Sequence, residues 1–569
     1  MTTIGIDFGT TNSVIAKWTP SGVDVLDIDS AAGEWDKYGF TKVMPSVFAN
    51  PNGKILFGWD AKRARSHRHE AVKRLFATQQ QLISDDHGEA LQVEEVATML
   101  FKQLKHAAEQ QGVDATKAVV TVPANSRGVA RHRTKICAGL AGIEVLTLLN
   151  EPTAAAMAYA ARHHGDQQLL VFDWGGGTLD VTILNAVDGV FMEQASKGLP
   201  TKGGIDFDSR LAQRIEETLT DTASWDTVEW HEFRLKVELA KVQLSEREAV
   251  EMRLPRGQTV RVTRSMFEQA VQRLIEEARR PIEQCLRDIG AGPGAIDALV
   301  MVGGTSKVPA VRRFVTELLD MEAVADVDAM TAVGEGAAVA ASIVSGELKD
   351  NDFFVATEHA LGTITHGRHD GKPKFSVLIE RNHKLPASTT KPFRPVQEDQ
   401  DSVLIRVIEG DPSFPVDHPD NVVLAEFDVD VPYAQQNPDQ VFDVTYAYDV
   451  DGILHVQVHD AATGAPIGGH DIAFGVSEDK RELVKLAGRA QRSMETGTLH
   501  RSDAAPSTAD AEVATLVQRA RVRVIPFVDE EEADQIRVLV DRLQEATPSD
   551  VAAAKDALRA ALAPYPFLF

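Results

Sequence analysis

Two short segments of this 569-residue chain share one design, and together they constrain its fold more than any other feature. Ile4-Gly-Ile-Asp7-Phe-Gly9-Thr10-Thr11 and Leu169-Leu-Val-Phe-Asp173-Trp-Gly175-Gly176-Gly177-Thr178 each run as an apolar strand into Asp, then Gly and Thr. Each is followed by a second β-like run, Ser13 to Trp18 and Asp180 to Leu184, so each reads as a hairpin with a glycine-containing turn. Recurrence of the unit at Asp7 and Asp173 implies two related lobes whose turns face one another across a cleft.

The intervening pattern supports two α/β lobes. Helical periodicity covers 94–111, a buried strand is expected over 118–122 ending at Pro123, and helices follow at 131–141 and 154–164. The second half repeats the rhythm, with helices at 207–219, 233–244 and 267–289, a strand at 298–302 stopped by Gly303-Gly304, and a helix at 332–345. Beyond Gly346 the pattern becomes β-rich, notably over 402–409 and 442–458, where Asp451-Gly452 gives a hairpin signal. From Ser477 it is helical again, with further helices at 511–523, 529–546 and 549–563. The expected units are therefore 1–346, a linker at 347–358, a β-rich unit at 359–476 and a helical end at 477–569.

Chemistry on a nucleoside triphosphate needs backbone N–H groups close to the phosphates, a divalent ion and a group that orients water. Gly9, Gly175, Gly176 and Gly177 let backbone amides approach phosphate oxygens, and Thr10, Thr11 and Thr178 add hydroxyl donors. Asp7 and Asp173, at strand ends facing the cleft, suit a hydrated Mg2+ ion. One glycine turn alone is weak evidence, and the pair is much stronger. Neither turn is a GxxxxGK[ST] loop or a GxGxxG fingerprint, so P-loop and Rossmann readings lose their main support.

Composition excludes several other classes. The formal charge of −25 repels nucleic acid and anionic membranes, and no window reaches the ~18 consecutive apolar residues of a membrane span. Cys137 and Cys285 have no CxxC companion, which removes a disulfide framework or thiolate metal site and fits a reducing cytoplasm. The N-terminus runs into a strand pattern without a signal-peptide design. A cytoplasmic protein with neither nucleic-acid nor membrane partners is expected.

The motifs resemble those of the 70-kDa heat-shock (DnaK-like) chaperone family, in a shortened, divergent bacterial-type form. The likeness runs through Ile4-Gly-Ile-Asp-Phe-Gly-Thr-Thr-Asn12-Ser, Thr121-Val-Pro-Ala, Asn150-Glu-Pro-Thr-Ala-Ala-Ala, Phe172-Asp-Trp-Gly-Gly-Gly-Thr-Leu-Asp and Val302-Gly-Gly-Thr. The resemblance implies an α/β actin-like, duplicated-lobe ATPase domain, followed by a β-sandwich polypeptide-binding domain and a C-terminal α-helical lid. It implies ATP/ADP, Mg2+ and K+ as cofactors. Lys73 would approach the γ-phosphate, Glu151 and Asp180 would assist the water network, Thr178 would contact the γ-phosphate, and Asp7 and Asp173 would hold Mg2+ through water.

By the same resemblance Gly9, Thr10, Thr11, Asn12, Gly175, Gly176, Gly177, Gly203, Gly204, Gly303 and Gly304 surround the nucleotide. Glu238, Lys241 and Ser245 would touch ribose and adenine. Val242 stands where the family commonly stacks an arginine on adenine, and Lys307 replaces another arginine near the base. Pro123 and Arg131 would relay the nucleotide state, while Phe393, Val396, Val403 and Ile405 would line the polypeptide cleft. Taken from residues alone, Lys73 reads rather as a solvated helix-end lysine, Pro123 as a strand terminator and the cleft residues as ordinary core.

The implied partners are unfolded or extended client polypeptides, a J-domain co-chaperone and a GrpE-like nucleotide exchange factor. The expected function is an ATP-dependent molecular chaperone. The alternatives are a partner-specific scaffold switched by ATP, an actin-like filament ATPase and a small-metabolite kinase.

Overall fold

The computed structural model describes residues 3–563 except 78–80, 84–89, 127, 164, 220–221, 349–351, 354–356, 358, 367–370, 382, 385, 396–399, 401, 419–420, 432–441, 450–452, 473–479, 500–512, 514–515, 518–519, 521–523, 526–527, 529, 545 and 547–549. Val396, the apolar linker residues Phe354 and Val355, the Asp451-Gly452 turn and most of the helix expected over 511–523 lie outside the described residues.

The near-continuous apolar character of Ile4–Phe8 follows from its central place in a sheet. It pairs antiparallel with Asn12–Thr19 and parallel with Lys117–Val122, which in turn pairs parallel with Glu144–Asn150. Gly22–Val25 continues the sheet on the other side. In the second lobe Gln167–Trp174 pairs antiparallel with Leu179–Val187 and parallel with Ala298–Val302, and Val190–Leu199 follows in third place. Strand order and direction thus repeat, so the repeat in sequence is a repeat of topology.

Two alanine-rich helices, Glu151–Ala160 and Ala332–Val344, bury one cluster with Val119 and Leu149 of the first sheet and Leu169, Val171 and Val300 of the second. Small residues permit this crossing. A Cβ on Gly336 would lie 1.6 Å from the Ala154 carbonyl oxygen, and one on Gly5 would lie 2.2 Å from the Ala338 nitrogen.

Most elements fall within a few residues of expectation. The helix expected over 267–289 is instead two, Arg264–Glu277 and Arg279–Asp288. Pro281 explains the break, since its ring clashes with the carbonyl four residues back, at Glu277, where the first helix ends.

Within the segment expected to be a linker, Asp352–Phe353 pairs parallel with Val190 and Phe191 at the edge of the second sheet. The β-rich unit contains two four-stranded antiparallel sheets. They share one cluster that includes Leu361, Val407, Val429, Val444, Tyr446 and Val456. Tyr446 donates its hydroxyl to the Gly362 carbonyl at 2.9 Å, tying one sheet to the other.

This unit leans on the α/β lobes. Val129 packs on its cluster, the Gly128 N–H donates to Glu409 at 3.2 Å, and Arg381 donates to the Ser196 carbonyl. Helix Lys480–Thr496 rests on helix Val93–Gln110 of the first lobe, where Arg489 pairs with Glu95 at 3.1 Å. Helices Glu530–Gln544 and Val551–Leu562 share the apolar cluster of the second lobe through Ile536, Val540, Leu558 and Leu562. No helix among the described residues is long and apolar enough to cross a membrane.

Candidate nucleotide site

The two glycine turns meet across the cleft because the glycines of the second leave room for the threonine side chains of the first. A Cβ on Gly176 would lie 1.7 Å from Thr11 Oγ1, and one on Gly177 would lie 2.7 Å from Thr10 Oγ1. Gly203 lies equally close to Gly176 and caps helix Gly204–Glu216, whose first two N–H groups, of Gly204 and Ile205, donate to the Gly175 and Gly176 carbonyls at 3.0 Å and so fix the second turn. Three backbone segments therefore converge at one point, where the glycine backbone of the turns can approach phosphate oxygens. Gly303, at φ 81°, passes against the Trp174 carbonyl, and Thr305 Oγ1 donates to the Gly175 carbonyl at 2.8 Å.

Beneath this cradle lie acids. Asp7 ends its strand and accepts from Thr121 Oγ1 at 2.9 Å, while Glu151 opens its helix and pairs with Lys73 Nζ at 2.6 Å. Asp180 accepts from the Asn125 side-chain amide at 2.7 Å. Burial, followed by the neighbouring Glu151 charge, pushes the Asp7 carboxyl up to about 7 and Asp180 up to about 6. Asp173 is pushed well above the usual carboxylate range by burial, then by Glu151, Asp180 and Asp7. Lys73 offsets only part of this crowding. Among the described residues no three His, Cys, Asp or Glu side chains converge as a direct metal cage. The set fits a hydrated divalent cation held through few protein ligands.

Towards the other end, a cavity of about 160 Å³ is lined by Thr10, Thr11, Asn12, Gly204, Glu238 and Lys241, among others. Glu238 is 2.6 Å from Lys62 of the opposite lobe, and Lys241 Nζ donates to Asp208 at 2.8 Å and to the Gly204 carbonyl at 3.1 Å. Gly304 lines it too. Ser245 follows the helix that bears Glu238, and Lys307 Nζ lies 3.5 Å from the Tyr38 carbonyl; neither lines this cavity. A second cavity, of about 720 Å³, gathers Lys73, Pro123, Thr178 and Asp180.

Arg131 is buried and donates to Asn150 Oδ1 at 2.8 Å, next to Glu151. The described residues expected to line a polypeptide cleft share the apolar cluster of the β-rich unit. Val403 and Ile405 are 6% and 4% exposed inside the β-rich cluster, and Phe393 is partly buried beside Phe442. Leu404, between the first two, is 44% exposed.

Several residues at the site carry no motif of their own. Arg74 donates to the Gly177 carbonyl at 2.5 Å and pairs with Asp206 at 3.0 Å, holding the second turn. Beside Lys73 in sequence it looks like any solvated arginine. Asn125 and Asp208 are likewise recognisable only from what they touch, whereas Thr121 opens the Thr121-Val-Pro-Ala motif on a strand running beside Asp7.

Duplicated sheets whose turns clasp a cradle of N–H groups above buried acids and one lysine define a nucleotide-hydrolysing domain of the actin-like class. A family model described as "Hsp70 protein" matches residues 65–564. The chain is 34% identical to the "Chaperone protein DnaK" of Thermotoga neapolitana over 95% of each chain. It is 33% identical to that of Thermosipho africanus, over 95% of this chain and 92% of the relative. With that of Thermotoga petrophila the identity is 37%, over 81% and 78%. The chain belongs to the Hsp70 family. It is an Hsp70-type ATP-dependent chaperone that binds and hydrolyses ATP and serves client polypeptides with co-chaperones, which sets aside the filament and kinase readings.

Proposed function

We propose that this chaperone runs a Mg-ATP cycle in which hydrolysis within the cleft of 1–346 converts a fast-exchanging polypeptide site into a tight one. The observation that carries this reading is the meeting of Lys73, Glu151, Asp7 and the Asp180 carboxylate beneath two facing glycine turns. Asp7 and Asp173 would hold the ion through its water. Bound there, Mg2+ would neutralise phosphate charge. Lys73 meets the γ-phosphate, Thr178 donates to it, and Glu151 and Asp180 orient the attacking water.

The β-rich unit 359–476 is the polypeptide-binding sandwich and the helices of 477–569 are its lid. Linker 347–358 joins them to the ATPase, and its Asp352–Phe353 strand on the second sheet gives the linker a foothold that nucleotide state can shift. A chain of contacts supports coupling: Gly128 touches Glu409, Arg131 of the same helix holds Asn150, and the adjacent Glu151 pairs with Lys73. Pro123 lines the same cavity as Lys73 and Asp180 and completes the relay. A J-domain protein and a GrpE-like factor drive hydrolysis and exchange, in the cytoplasm.

The test is steady-state ATPase activity with and without an unfolded polypeptide, alongside release of a labelled peptide on adding ATP. Stimulated turnover and ATP-driven release are expected, with Lys73→Ala retaining nucleotide binding but losing most turnover. Turnover that ignores polypeptide, with no ATP-driven release, would instead favour the ATP-switched scaffold.

A further inference from the structure

The cavity of about 720 Å³ that gathers Lys73, Thr178 and Asp180 does not end at the cleft between the glycine turns. It continues between three parts of the chain that are distant in sequence. The second lobe contributes Lys197 of strand Val190–Leu199 and Arg280 of helix Arg279–Asp288. The β-rich unit contributes Arg381, Asp411 and Phe414, and the C-terminal helical end contributes Ile525, Val528, Arg537, Val540 and Asp541.

The charge of this lining runs against that of the molecule. The chain carries −25 overall, yet the cavity is lined by Lys73, Arg74, Lys197, Arg280, Arg381 and Arg537 against the carboxylates of Asp180, Asp411 and Asp541. Four of the cations are held in place by partners at its edge: Lys73 by Glu151, Arg74 by Asp206, Lys197 by Asp288 at 3.1 Å, and Arg381 by the Ser196 carbonyl. On the second-lobe helix, Arg279 turns to Glu276 and Glu283, whereas Arg280 makes no ion pair among the described residues and lines the cavity. A wall of this sign, with guanidinium N–H groups left over after each pairing, suits a small oxyanion and its water.

Part of the wall depends on packing. Val540 is 1% exposed, and Ile525 and Val528 are partly buried, all in or against the apolar cluster that extends into the second lobe. Arg537 and Asp541 stand four residues apart on the same helix, Glu530–Gln544, and so reach the cavity while its apolar face rests on that lobe.

Resting on the placement of the γ-phosphate at Lys73 and Thr178, we propose that this cavity is an oxyanion site that retains the inorganic phosphate split from ATP before it reaches solvent, and that helix Glu530–Gln544, seated on the second lobe, forms one of its walls. Arg280 and Arg537 hold the product from the two sides. The helical end thereby sets when phosphate leaves: it stays while the helix is seated and departs when the helix lifts. Cleavage itself is left to the residues of the cleft.

The experiment is a single turnover of Mg-ATP by the full-length chain, with cleavage followed by rapid quench and free phosphate by a fluorescent phosphate sensor. Free phosphate should trail cleavage in the wild-type protein. Arg280→Glu and Arg537→Glu, both at exposed positions that tolerate the change, should each raise the ratio of release rate to cleavage rate about ten-fold, the scale of one charge-assisted hydrogen bond. Inorganic phosphate added to the ADP-bound chain reaches the same site from solution, and calorimetry should show it binding each variant about ten-fold more weakly than wild type. Free phosphate that keeps pace with cleavage in the wild type would overturn the proposal, and binding of added phosphate in that case would mark a site for a solution anion instead. An Arg537→Glu ratio within about two-fold of wild type would take the helix out of the site and overturn it as well. Unchanged cleavage in Lys73→Ala would overturn the placement of the γ-phosphate on which the proposal rests, a failure told apart from the others because it appears in cleavage and not in release.

Discussion

Asp180 shows at the scale of one residue how a site can be built at the expense of stability. Its Oδ1 takes two donors from Asn125, but Oδ2 is buried without a hydrogen bond, and Glu151 adds a like charge. The carboxyl is therefore pushed up to about 6 in the fold, against an ordinary value of 3.8. Between those values the native state holds a proton that the unfolded chain has released, so this group lowers stability as pH rises from about 4 to 6 and costs its full amount above that. Asp180→Asn should thus make the nucleotide-free protein more stable at pH 8, by roughly 1–3 kcal/mol, while steady-state ATP turnover falls sharply. The stability gap should close near pH 4, where the wild-type carboxyl is itself protonated. Urea unfolding at both pH values, with turnover measured on the same samples, checks this. A variant less stable than wild type at pH 8 would show that the Asn125 hydrogen bonds outweigh the buried charge.

At the scale of elements, the two helices between the sheets govern how the lobes are joined. Gly336 has no room for a methyl group against the Ala154 carbonyl, so Gly336→Ala must push the helices apart. The expected loss is roughly 3 kcal/mol, at the upper end of overpacking costs, and it should appear in urea unfolding together with reduced turnover because Glu151 rides on one of these helices. Retention of wild-type stability would mean that the crossing can relax. The elements themselves were largely legible in sequence, since Asp7 and Asp173 each end an apolar strand and Gly303-Gly304 stops Ala298–Val302. The break before Arg279 was missed in the single helix expected over 267–289, although Pro281, which cannot continue a helix through Glu277, carried the signal. What periodicity could not supply was partnership. Trp35 and Phe40 read as scattered aromatics in a turn-rich stretch, and Arg74 as a neighbour of Lys73. Their places depend on residues far along the chain, which local pattern does not encode.

The same limit appears at the scale of the whole molecule, where helix Lys480–Thr496 reads as an amphipathic helix from its own sequence but finds its partner nearly 400 residues away. Glu95, on helix Val93–Gln110, is 2% exposed, and burial pushes its carboxyl up, while the Arg489 guanidinium pulls it back down. Arg489 thus neutralises a charge that the docked arrangement would otherwise bury unpaired, the most costly way to break such a contact. Arg489→Ala should weaken docking of this helix on the first lobe by roughly 2–4 kcal/mol, moving a largely docked population to a largely free one. Because both native cysteines are buried, dyes on Gln110→Cys and Gln491→Cys report that distance selectively, and energy transfer in the presence of ATP should fall in the Arg489→Ala background. Replacing Glu95 with leucine as well should restore much of the transfer, since the orphaned charge is then gone and Ala490 still packs on the first-lobe core. If the single variant keeps full transfer, apolar contact through Ala490 and Met494 holds the helix without the ion pair, and undocking of this helix must work against packing and not against charge.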